Sequence, residues 1–393
     1  MLLDHPYPPD QRVENEAVSL VEAGFEVTVL AIGPDNRMQD EKVNGVRVIR
    51  VKMGNKKQKK LRGTVGFFDL YSPKLFKEVQ KVIAKCKVDV IHVHDLYLGR
   101  VGVWVKEKYG IPIVIDLHEN YVEALSQYAW STRFPGNMFI SLNKWKKLES
   151  KWLDEADAIV TVISEMKKKY IDRGVPDNKL IVTPNTPNIR SFREFPIKNE
   201  ITSKFEERTV LLYSGGFDLH RGLSTAVSAM QYLRESHPEV LLVLVGRGIN
   251  EPELHDQVIK LNLQKYVCFE GWQPQENVRS YVNRADIGLI PHVKSVQTDA
   301  SIPHKLGYYM SESLPVVTSN CNSLERMVVE HNVGLVFESE NAEDLASKVD
   351  ALLSDNSKRI SYGENGKLAA ESIFNWHSTI HPLINYYNKL TVS

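Results

Sequence analysis

The chain has 393 residues, of which 42% are hydrophobic and 25% are charged, and its formal net charge is zero. This length exceeds what one ordinary hydrophobic core organises, so we expect two domains of a globular protein. The sequence shows no run of ~18 apolar residues and no basic segment followed by an apolar one, so we expect neither a transmembrane helix nor a signal peptide. Cys86, Cys268 and Cys321 are dispersed and form no CxxC pair, which favours a cytoplasmic protein without disulfides or zinc.

The zero net charge conceals an asymmetry between the two halves of the chain. Residues 1–195 carry 31 basic and 25 acidic side chains, an excess of +6, and the remainder carries the opposite excess. Much of the excess lies in Lys52–Arg62, which precedes Phe67 and Phe68. One interpretation is a solvated basic loop; the other is peripheral contact with an anionic membrane at its inner face. We expect no nucleic-acid partner, because the charge is confined to one segment.

In the first half of the chain, runs typical of buried strands alternate with amphipathic helical runs. The sequence predicts strands at Glu26–Ala31, Val46–Val51, Val88–Val93, Pro112–Leu117, Ala158–Val162 and Leu180–Thr183. It predicts helices at Val13–Glu22, Pro73–Lys85, Gly99–Lys108, Met138–Glu155 and Ser164–Asp172. Met1–Asp4 is only a stub where a first strand is expected, so we expect either that the chain begins late in that strand or that the N-terminus is truncated.

Polar residues follow three of these segments, at the sheet edge where α/β proteins bind ligands. A proline-rich loop containing Pro9 leads to Arg12 and a helix that carries Glu16. IHVHD ends at Asp95 after one strand, and IDLHEN follows another. Within the second motif, His118 lies between Asp116 and Glu119, and its ring could hydrogen-bond a sugar hydroxyl or a phosphate oxygen. His92 and His94 fit buried, capped imidazoles better. A metal site in this cluster lacks a convincing third ligand.

The second half repeats the alternation of strands and helices. Continuous apolar runs predict strands at Val210–Tyr213, Leu241–Val245, Val267–Phe269, Ile287–Ile290, Val316–Thr318 and Leu335–Phe337. The Pro- and Asn-rich stretch Asn185–Pro196 has no pattern and is interpreted as a linker. We therefore predict an α/β protein with two Rossmann-like, doubly wound parallel sheets. The first domain is assigned to residues 1–190, completed by the C-terminal helix 376–393, and the second to residues 191–375.

The stretch Thr209–Met230 combines a buried strand, a turn at Gly215 and Gly216, and a helix opening near Arg221. Glycine lets an oxyanion approach the backbone, and the first N–H groups of a helix are unpaired. Arg221 adds a fixed positive charge. The stretch is interpreted as the diphosphate site of a nucleotide ligand, although an ordinary turn beside a surface arginine explains it equally well.

Other turns of the second half lie at equivalent strand ends and are further candidates for ligand binding. LVGRG contains Gly246, and CFEGW contains Gly271 and Trp272, whose backbone groups could frame a base. After these, the predicted polar loop Thr298–Ser301 leads to Pro303 and to a helix that holds Lys305, Tyr308 and Tyr309. The N-terminus of that helix could face the same phosphate.

Taken together, these motifs resemble the retaining glycosyltransferases of family 4, the group 1 glycosyl transferases with the GT-B fold. The resemblance covers essentially the whole chain. It is carried by PPDQRVENEAVSLVEAGFEVTVL at Pro8–Leu30, DVIHVHD at Asp89–Asp95, DLHE at Asp116–Glu119, YSGGFDLHRGL at Tyr213–Leu223, and ADIGLIP to IPHKLGYYMSESLPVVTSN within Ala285–Asn320. It implies two lobes facing each other across a cleft, with the donor bound by the C-terminal domain and the acceptor by the N-terminal one.

The resemblance also implies roles for individual residues. His118 matches the histidine that reaches the donor sugar, so His118 and Arg221 are predicted to be catalytic, Arg221 by neutralising the diphosphate. The predicted donor-binding residues all belong to the second domain: Gly215, Gly216, Arg221, Gly246, Gly271, Trp272, Asp299, Ser301, Lys305 and Tyr308. The predicted acceptor-side residues are Pro9, Arg12, Asp95 and Glu119.

The chain departs from the family pattern at three positions. Gly216 stands where many members carry a second basic residue. Ala300 and Tyr308 occupy the positions of the paired glutamates, with Asp299 next to the first, and the second glutamate normally binds the ribose. These departures bear on donor affinity and donor identity, and a tyrosine can still hydrogen-bond a ribose hydroxyl.

The predicted function is transfer of a sugar from a UDP-, GDP- or ADP-sugar to a glycan or lipid-linked acceptor in surface polysaccharide or glycoconjugate assembly. No cofactor and no metal are expected, because no DxD-like motif stands at the right place. The departures motivate an alternative, a non-catalytic subunit of the same fold that binds a partner or a glycan without turnover.

Overall fold

The structure is a computed structural model that describes all residues except 9, 35, 36, 67, 126–140 and 393. Pro9 and Phe67 therefore lie outside the described residues, as does the predicted start of the helix Met138–Glu155. The chain forms two compact units, Met1–Pro184 with Ile380–Ser393 and Asn185–Thr379. The predicted division between residues 190 and 191 falls inside the helix Ile189–Glu194, whose Ile189 and Phe192 are buried in the core of the second unit.

The first unit is built on a sheet whose strand order is β3-β4-β2-β1-β5-β6-β7-β8. Only β3 among the described strands runs antiparallel to its neighbour. The strands are β1 (Leu2–Leu3), β2 (Thr28–Gly33), β3 (Asp40–Val43), β4 (Val46–Lys52), β5 (Ile91–His94), β6 (Ile113–Leu117), β7 (Ala158–Thr161) and β8 (Leu180–Val182). The stub at the N-terminus is thus a short central strand, with Leu2 paired to both Leu30 and Val93.

Helices connect the strands of the first unit. They span Gln11–Glu22, Asn55–Arg62, Ser72–Ile83, Gly99–Tyr109, Tyr121–Ala124, Leu142–Glu155, Ser164–Asp172 and His381–Val392, with short 3-10 turns at Leu96–Leu98 and Asp177–Lys179. The first helix begins after Asp10, whose side chain accepts from the backbone of Val13 as an N-cap. The last helix packs on this unit, because the Tyr387 hydroxyl lies 2.8 Å from Nδ1 of His92.

The second unit contains a six-stranded sheet in the order β11-β10-β9-β12-β13-β14, and every pairing is parallel. Its strands are β9 (Thr209–Ser214), β10 (Val240–Val245), β11 (Val267–Gly271), β12 (Ile287–Ile290), β13 (Val316–Ser319) and β14 (Gly334–Phe337). Its helices are Ile189–Glu194, Asn199–Thr202, Leu223–Ser236, Glu251–Lys260, Gln275–Arg284, Val296–Asp299, His304–Ser311, Asn322–His331, Ala342–Leu353, Asn356–Ser372 and Trp376–Thr379, with 3-10 turns at Ser203–Phe205 and Leu219–Arg221.

Apolar side chains cover both faces of this second sheet. Val210 and Leu212 of β9 pack in one hydrophobic cluster, whereas Leu211 and Tyr213 pack in another. Successive side chains of a strand point to opposite faces, so both faces are buried, as continuous apolar strands require. The strand ends are then the places where polar groups and ligands remain accessible.

Three segments predicted to be loops contain helices. The basic segment forms Asn55–Arg62, because Gln58 is buried and donates to the Asp4 side chain and to the Ile32 carbonyl. The linker contains Ile189–Glu194, capped by the Asn188 side chain. The predicted polar loop Thr298–Ser301 overlaps the end of the helix Val296–Asp299, where Ser295 and Thr298 form a reciprocal capping box. In each case a polar side chain makes hydrogen bonds to backbone or buried polar groups. Hydrophobic periodicity does not indicate such bonds.

Candidate active site

The glycine turn of the second unit lies where the order of its sheet reverses. The chain runs outward from β9 through β10 to β11 and then returns to β12, which pairs with the other side of β9. Ligands of doubly wound sheets bind beyond the carboxyl ends of the strands at such a reversal. Gly215 and Gly216 directly follow β9 and are exposed. The Gly215 N–H already donates to the Val245 carbonyl over 2.8 Å, so the N–H of Gly216 is the backbone donor that this turn offers a ligand.

Glycine is required at this turn and at the neighbouring strand end. Gly215 has φ +138° and Gly246 has φ +146°, a region that residues with a Cβ rarely adopt. A Cβ on Gly246 would lie 1.9 Å from the carbonyl oxygen of Gly215. The Gly246 N–H donates to the Gly271 carbonyl over 2.8 Å. Three of the predicted donor-binding glycines therefore form one continuous backbone surface.

Arg221 reaches this surface from the 3-10 turn Leu219–Arg221. Gly222, with φ +66°, then starts the helix Leu223–Ser236, and a Cβ at this position would lie 1.8 Å from the Pro291 carbonyl oxygen. Nη1 of Arg221 lies 3.1 Å from Nε2 of His292, while its Nε is buried without a hydrogen-bond partner among the described residues. The guanidinium thus keeps donor capacity for an anionic ligand.

Lys305 lies beside the same glycine turn. It is 8% exposed, its Nζ lies 3.4 Å from the centroid of the Tyr213 ring, and a Cβ built on Gly215 would be 2.9 Å from this Nζ. Burial and then the charge of Arg221 lower the pKa of Lys305 well below its usual value. Burial, Lys305 and Arg221 likewise hold the pKa of His292 well below its usual range. The site therefore contains several side chains that are cationic or become cationic when they are protonated.

The remaining predicted donor-binding residues lie apart from this arrangement or are engaged otherwise. The Tyr308 ring stacks on Phe192 in the core at a centroid distance of 4.2 Å, and its hydroxyl accepts from Gln275. Asp299 accepts from the backbone N–H of Asn322 and so caps the helix Asn322–His331. Ser301 is half-buried next to this helix cap, and Trp272 is 65% exposed just beyond β11.

In the first unit, the predicted catalytic His118 belongs to a buried charge network. Its Nε2 lies 3.1 Å from Oδ2 of Asp116, at the end of β6. Arg12 donates to both oxygens of Asp116, each over 2.9 Å, and its Nη2 lies 3.0 Å from Oε1 of Glu16. Arg12 is 5% exposed, so its guanidinium orients Asp116 from a position covered from solvent, and its predicted acceptor-side role stays a prediction.

The network fixes the charges of its members. Burial alone would raise the pKa of Asp116, but Arg12 and His118 outweigh burial and hold this pKa well below its usual range. Burial alone would lower the pKa of His118, but Asp116 and Asp95 raise it to about 9. Burial and the nearby Asp116 raise the pKa of Glu16 well above its usual value. At neutral pH, His118 is therefore a cationic hydrogen-bond donor next to an ionised Asp116.

Asp95 and Glu119 lie on either side of this histidine. Oδ1 of Asp95 is 3.7 Å from Nδ1 of His118, and its Oδ2 accepts from the Tyr97 hydroxyl. Asp95 has φ +75°, an uncommon conformation for a residue with a side chain, and such strain is concentrated at functional sites. Glu119 follows His118 and is half-buried. The structure thus brings Asp95 and His118 together at the carboxyl edge of neighbouring strands.

Four buried groups near Arg12 could offer ligand atoms to a metal ion: Glu16, His92, His94 and Asp116, whose ligand atoms all lie within 4.8 Å of one another. Glu16 is a possible further ligand that the sequence motifs alone did not indicate. However, both oxygens of Asp116 already accept from Arg12, and a cation here would lie next to a guanidinium. The arrangement fits an internal ion-pair network better than a metal centre.

Sequence reasoning assigned no role to two residues that contact the predicted ones. Glu16 pairs with Arg12 one helical turn away, an i,i+4 spacing that could have indicated the contact. His292 follows β12 at the sheet reversal and contacts Arg221. Its place immediately after Ile287–Pro291 is the signal that could have found it, since polar residues after parallel strands face ligands.

Comparison with known proteins assigns the class of the protein. Residues 9–186 match the family described as glycosyl transferase 4-like domain, and residues 194–369 match glycosyl transferases group 1. The chain therefore belongs to the glycosyltransferases of the family 4 type, which are transferases of class EC 2.4. Each of the two units corresponds to one of these two matched regions.

Relatives over most of the chain are distant in sequence. The chain is 23% identical to a glycogen synthase of Mycobacterium tuberculosis over 74% of its own length and 66% of that relative, so it spans slightly less than two thirds of this protein. It is 22% identical to a phosphatidyl-myo-inositol mannosyltransferase of Mycolicibacterium smegmatis, over 91% of the chain and 84% of that relative.

Solved structures show the same fold. Sucrose-phosphate synthase from Thermosynechococcus elongatus superposes with a TM-score of 0.76 at 22% identity, covering 97% of this chain and 93% of its own. HepE from Anabaena, solved in complex with UDP, gives a TM-score of 0.72 at 14% identity and covers 99% of both chains. The predicted α/β architecture, the GT-B fold with two parallel-sheet domains, is confirmed. In the part of the chain that the structure describes, no helix is both long and apolar enough to span a bilayer.

Proposed function

We propose that this protein transfers a sugar, with retention of anomeric configuration, from a nucleotide-diphosphate sugar to a glycan or lipid-linked acceptor. The observation that carries the proposal is the exposed turn Gly215-Gly216 at the reversal of the second sheet, with Arg221 beside it. Backbone N–H groups without a Cβ in the way and a fixed guanidinium are suited to a diphosphate. HepE, a neighbour in fold, was solved with UDP and with UDP-glucose, which supports a nucleotide-sugar donor.

The reaction requires the bond between the anomeric carbon and the diphosphate oxygen to break. Negative charge grows on the leaving diphosphate, and Arg221 with the glycine turn would stabilise it through preorganised donors. Positive charge grows on the sugar ring and is stabilised by the neighbouring phosphate oxygen, which also takes the proton of the acceptor hydroxyl. The proposal therefore needs no carboxylate base and no metal.

His118 is proposed to hydrogen-bond the transferred sugar. Its pKa of about 9 keeps the ring protonated at neutral pH, and Asp116 holds one ring nitrogen while the other lies on the side of Asp95. The Nδ1–Asp95 distance of 3.7 Å is too long for a hydrogen bond, so Nδ1 is the nitrogen proposed to donate to the sugar, while Asp116 orients the ring. In this proposal Arg12 and Glu16 act through Asp116, and Asp95 and Glu119 contact the acceptor.

The basic helix Asn55–Arg62 supports peripheral membrane contact by a cytoplasmic protein. Lys56, Lys57, Lys59 and Lys60 are exposed on it, whereas Gln58 anchors the helix to Asp4 at the end of β1. An anchored helix with four exposed lysines is attracted to anionic lipids by about 1 kcal/mol per charge. This location suits a lipid-linked acceptor and a place in surface polysaccharide or glycoconjugate assembly.

The test is a screen of UDP-, GDP- and ADP-sugars by thermal shift, since a ligand of the native state raises the melting temperature. The nucleotide sugar that stabilises the protein is then incubated with lipid-linked and free glycan acceptors, and proton NMR follows the anomeric configuration of the product. Stabilisation by one nucleotide sugar and a product of retained configuration are expected. Inversion would refute the retaining mechanism, and no stabilisation by any nucleotide sugar would refute donor binding. The non-catalytic alternative is not favoured, because relatives over most of the chain are named as enzymes, a mannosyltransferase and an alpha-monoglucosyldiacylglycerol synthase.

A further inference from the structure

The terminal amino group of a lysine is buried beside the glycine turn. Nζ of Lys305 has no hydrogen-bond acceptor among the residues that the structure describes, although the side chain is only 8% exposed. Burying a polar group without a hydrogen bond costs roughly 1–3 kcal/mol in proteins, and a charged one costs more. A buried lysine whose Nζ lacks an acceptor is a candidate for binding an anionic ligand.

The groups around Lys305 give it no anionic partner. From β9 it faces the ring of Tyr213, which contributes only a cation–π contact. Arg221 and His220, from the 3-10 turn, and His292, after β12, interact with it repulsively when charged. Asp218 lies beside the next residue of the turn, with Oδ2 3.1 Å from the position of a Cβ on Gly216. Lys305 therefore reaches Gly215 from another element, and it interacts there with the charge of Arg221.

We propose that Lys305 is the second cation of the diphosphate site, supplied by the helix His304–Ser311 rather than by the glycine turn itself. This inference rests on the proposed function and deepens it. The position after Gly215 is another glycine, so the turn has no side chain of its own with which to meet the anion. Arg221 and Lys305 together match the charge of a diphosphate, which neither balances alone.

A diphosphate that binds beside Lys305 changes the protonation of this side chain. Because burial and Arg221 disfavour the charged form of Lys305 in the empty site, an arriving diphosphate restores the charged form, and binding takes up a proton. His292 faces the same groups and contributes in the same direction. Proton uptake on binding is measured by titration calorimetry in buffers of different ionisation enthalpy, and the part due to Lys305 is the difference between the wild type and a variant.

The experiment compares the full-length wild type with Lys305→Met, which keeps the length of the side chain and removes its charge. The matched control is Lys260→Met, at an exposed lysine in the last turn of the helix Glu251–Lys260. The probes are UDP, GDP and ADP, and inorganic pyrophosphate, which presents the anion without base or sugar. We expect Lys305→Met to weaken binding of the bound nucleotide and of pyrophosphate about 10- to 100-fold and to reduce proton uptake, with the control unchanged.

The outcomes separate the two proposals. Equal affinity and equal proton uptake in Lys305→Met and the wild type would overturn the role of Lys305 while leaving nucleotide binding intact. If the wild type binds none of the three nucleotides, the proposed function fails, and pyrophosphate still tests the lysine. A purely structural lysine would instead lower the melting temperature of the unliganded protein when replaced. We expect that temperature to stay equal or rise, because the substitution removes a buried polar group that has no hydrogen-bond acceptor among the described residues.

Discussion

Two arginine–aspartate pairs of the first unit have the same geometry but different burial, and they predict different costs when broken. Arg12 donates from Nε and Nη2 to Asp116 over 2.9 Å each, and Arg47 donates from the same two atoms to Asp40 over 3.0 and 2.7 Å. The side chains of the first pair are 5% and 0% exposed, and those of the second are 40% and 51% exposed. Asp116→Asn and Asp40→Asn therefore make the same chemical change in two environments.

The expected magnitudes follow from burial. Removing one charge of a buried pair leaves the other uncompensated and costs about 3–5 kcal/mol. Arg12 keeps its contact with Glu16 in Asp116→Asn. We therefore expect this substitution to lower the free energy of unfolding by about 3 kcal/mol, at the lower end of that range. An exposed pair contributes about 0.2–1 kcal/mol, because solvent screens it. We therefore predict a loss several times larger for Asp116→Asn than for Asp40→Asn.

The assay must report on the first unit alone, because a chain of two units need not unfold in one step. Hydrogen exchange of the segment Ile113–Leu117, measured by mass spectrometry in increasing urea, gives the free energy of unfolding at β6. The reasoning would be refuted if Asp116→Asn cost no more than Asp40→Asn. It would also be refuted if the pKa of His118, followed by NMR, did not fall in Asp116→Asn, since Asp116 is the main group that raises it.

Four further predictions concern the candidate site. Arg221→Ala should lower kcat/KM by an amount equivalent to roughly 2–4 kcal/mol of transition-state stabilisation, and wild-type kinetics would remove Arg221 from the site. Gly246→Ala should abolish nucleotide binding in calorimetry, whereas Gly110→Ala, also at positive φ but with nothing within 4 Å, should leave affinity unchanged; equal affinities would contradict the backbone surface. Replacing the four lysines of Lys56–Lys60 by Gln should release the protein from anionic vesicles in low salt and preserve turnover on a soluble acceptor, and unchanged sedimentation would disprove membrane contact. Because its pKa rises from 6.5 to about 9 on folding, His118 should stabilise the first unit fully below about pH 6.5 and lose this contribution as pH rises through about 9; urea titrations of His118→Gln should lack this slope, and an unchanged slope would refute the assignment.

Much of the fold was predictable because its strands are fully buried. Runs such as Val240–Val245 are apolar throughout, which is what a parallel sheet covered on both faces requires. Ile287–Ile290 was predicted to the residue. The segments that were missed depend on long-range contacts. The strand Leu2–Leu3 exists because it pairs with β2 and β5, and two residues carry no periodicity of their own.

The candidate site was predicted in part. The position of Gly215 after β9 and of His118 after β6 followed from the rule that polar residues and glycines at strand ends face ligands. Whether Tyr308 points toward a ligand depends on the side of a buried helix on which it lies, and Phe192, from a segment predicted to be a linker, stacks on it. The burial of Arg12 depends on Asp116, a residue distant in sequence, which local patterns cannot indicate.

The central claim is that the glycine turn before Arg221 binds the diphosphate of a nucleotide, and a crystal structure of the protein with UDP, GDP or ADP tests it most directly. We predict phosphate oxygens within hydrogen-bond distance of the backbone N–H of Gly216 and of the Arg221 guanidinium, while the Gly215 N–H keeps its bond to the Val245 carbonyl. A nucleotide bound with its phosphates away from this turn would contradict the account.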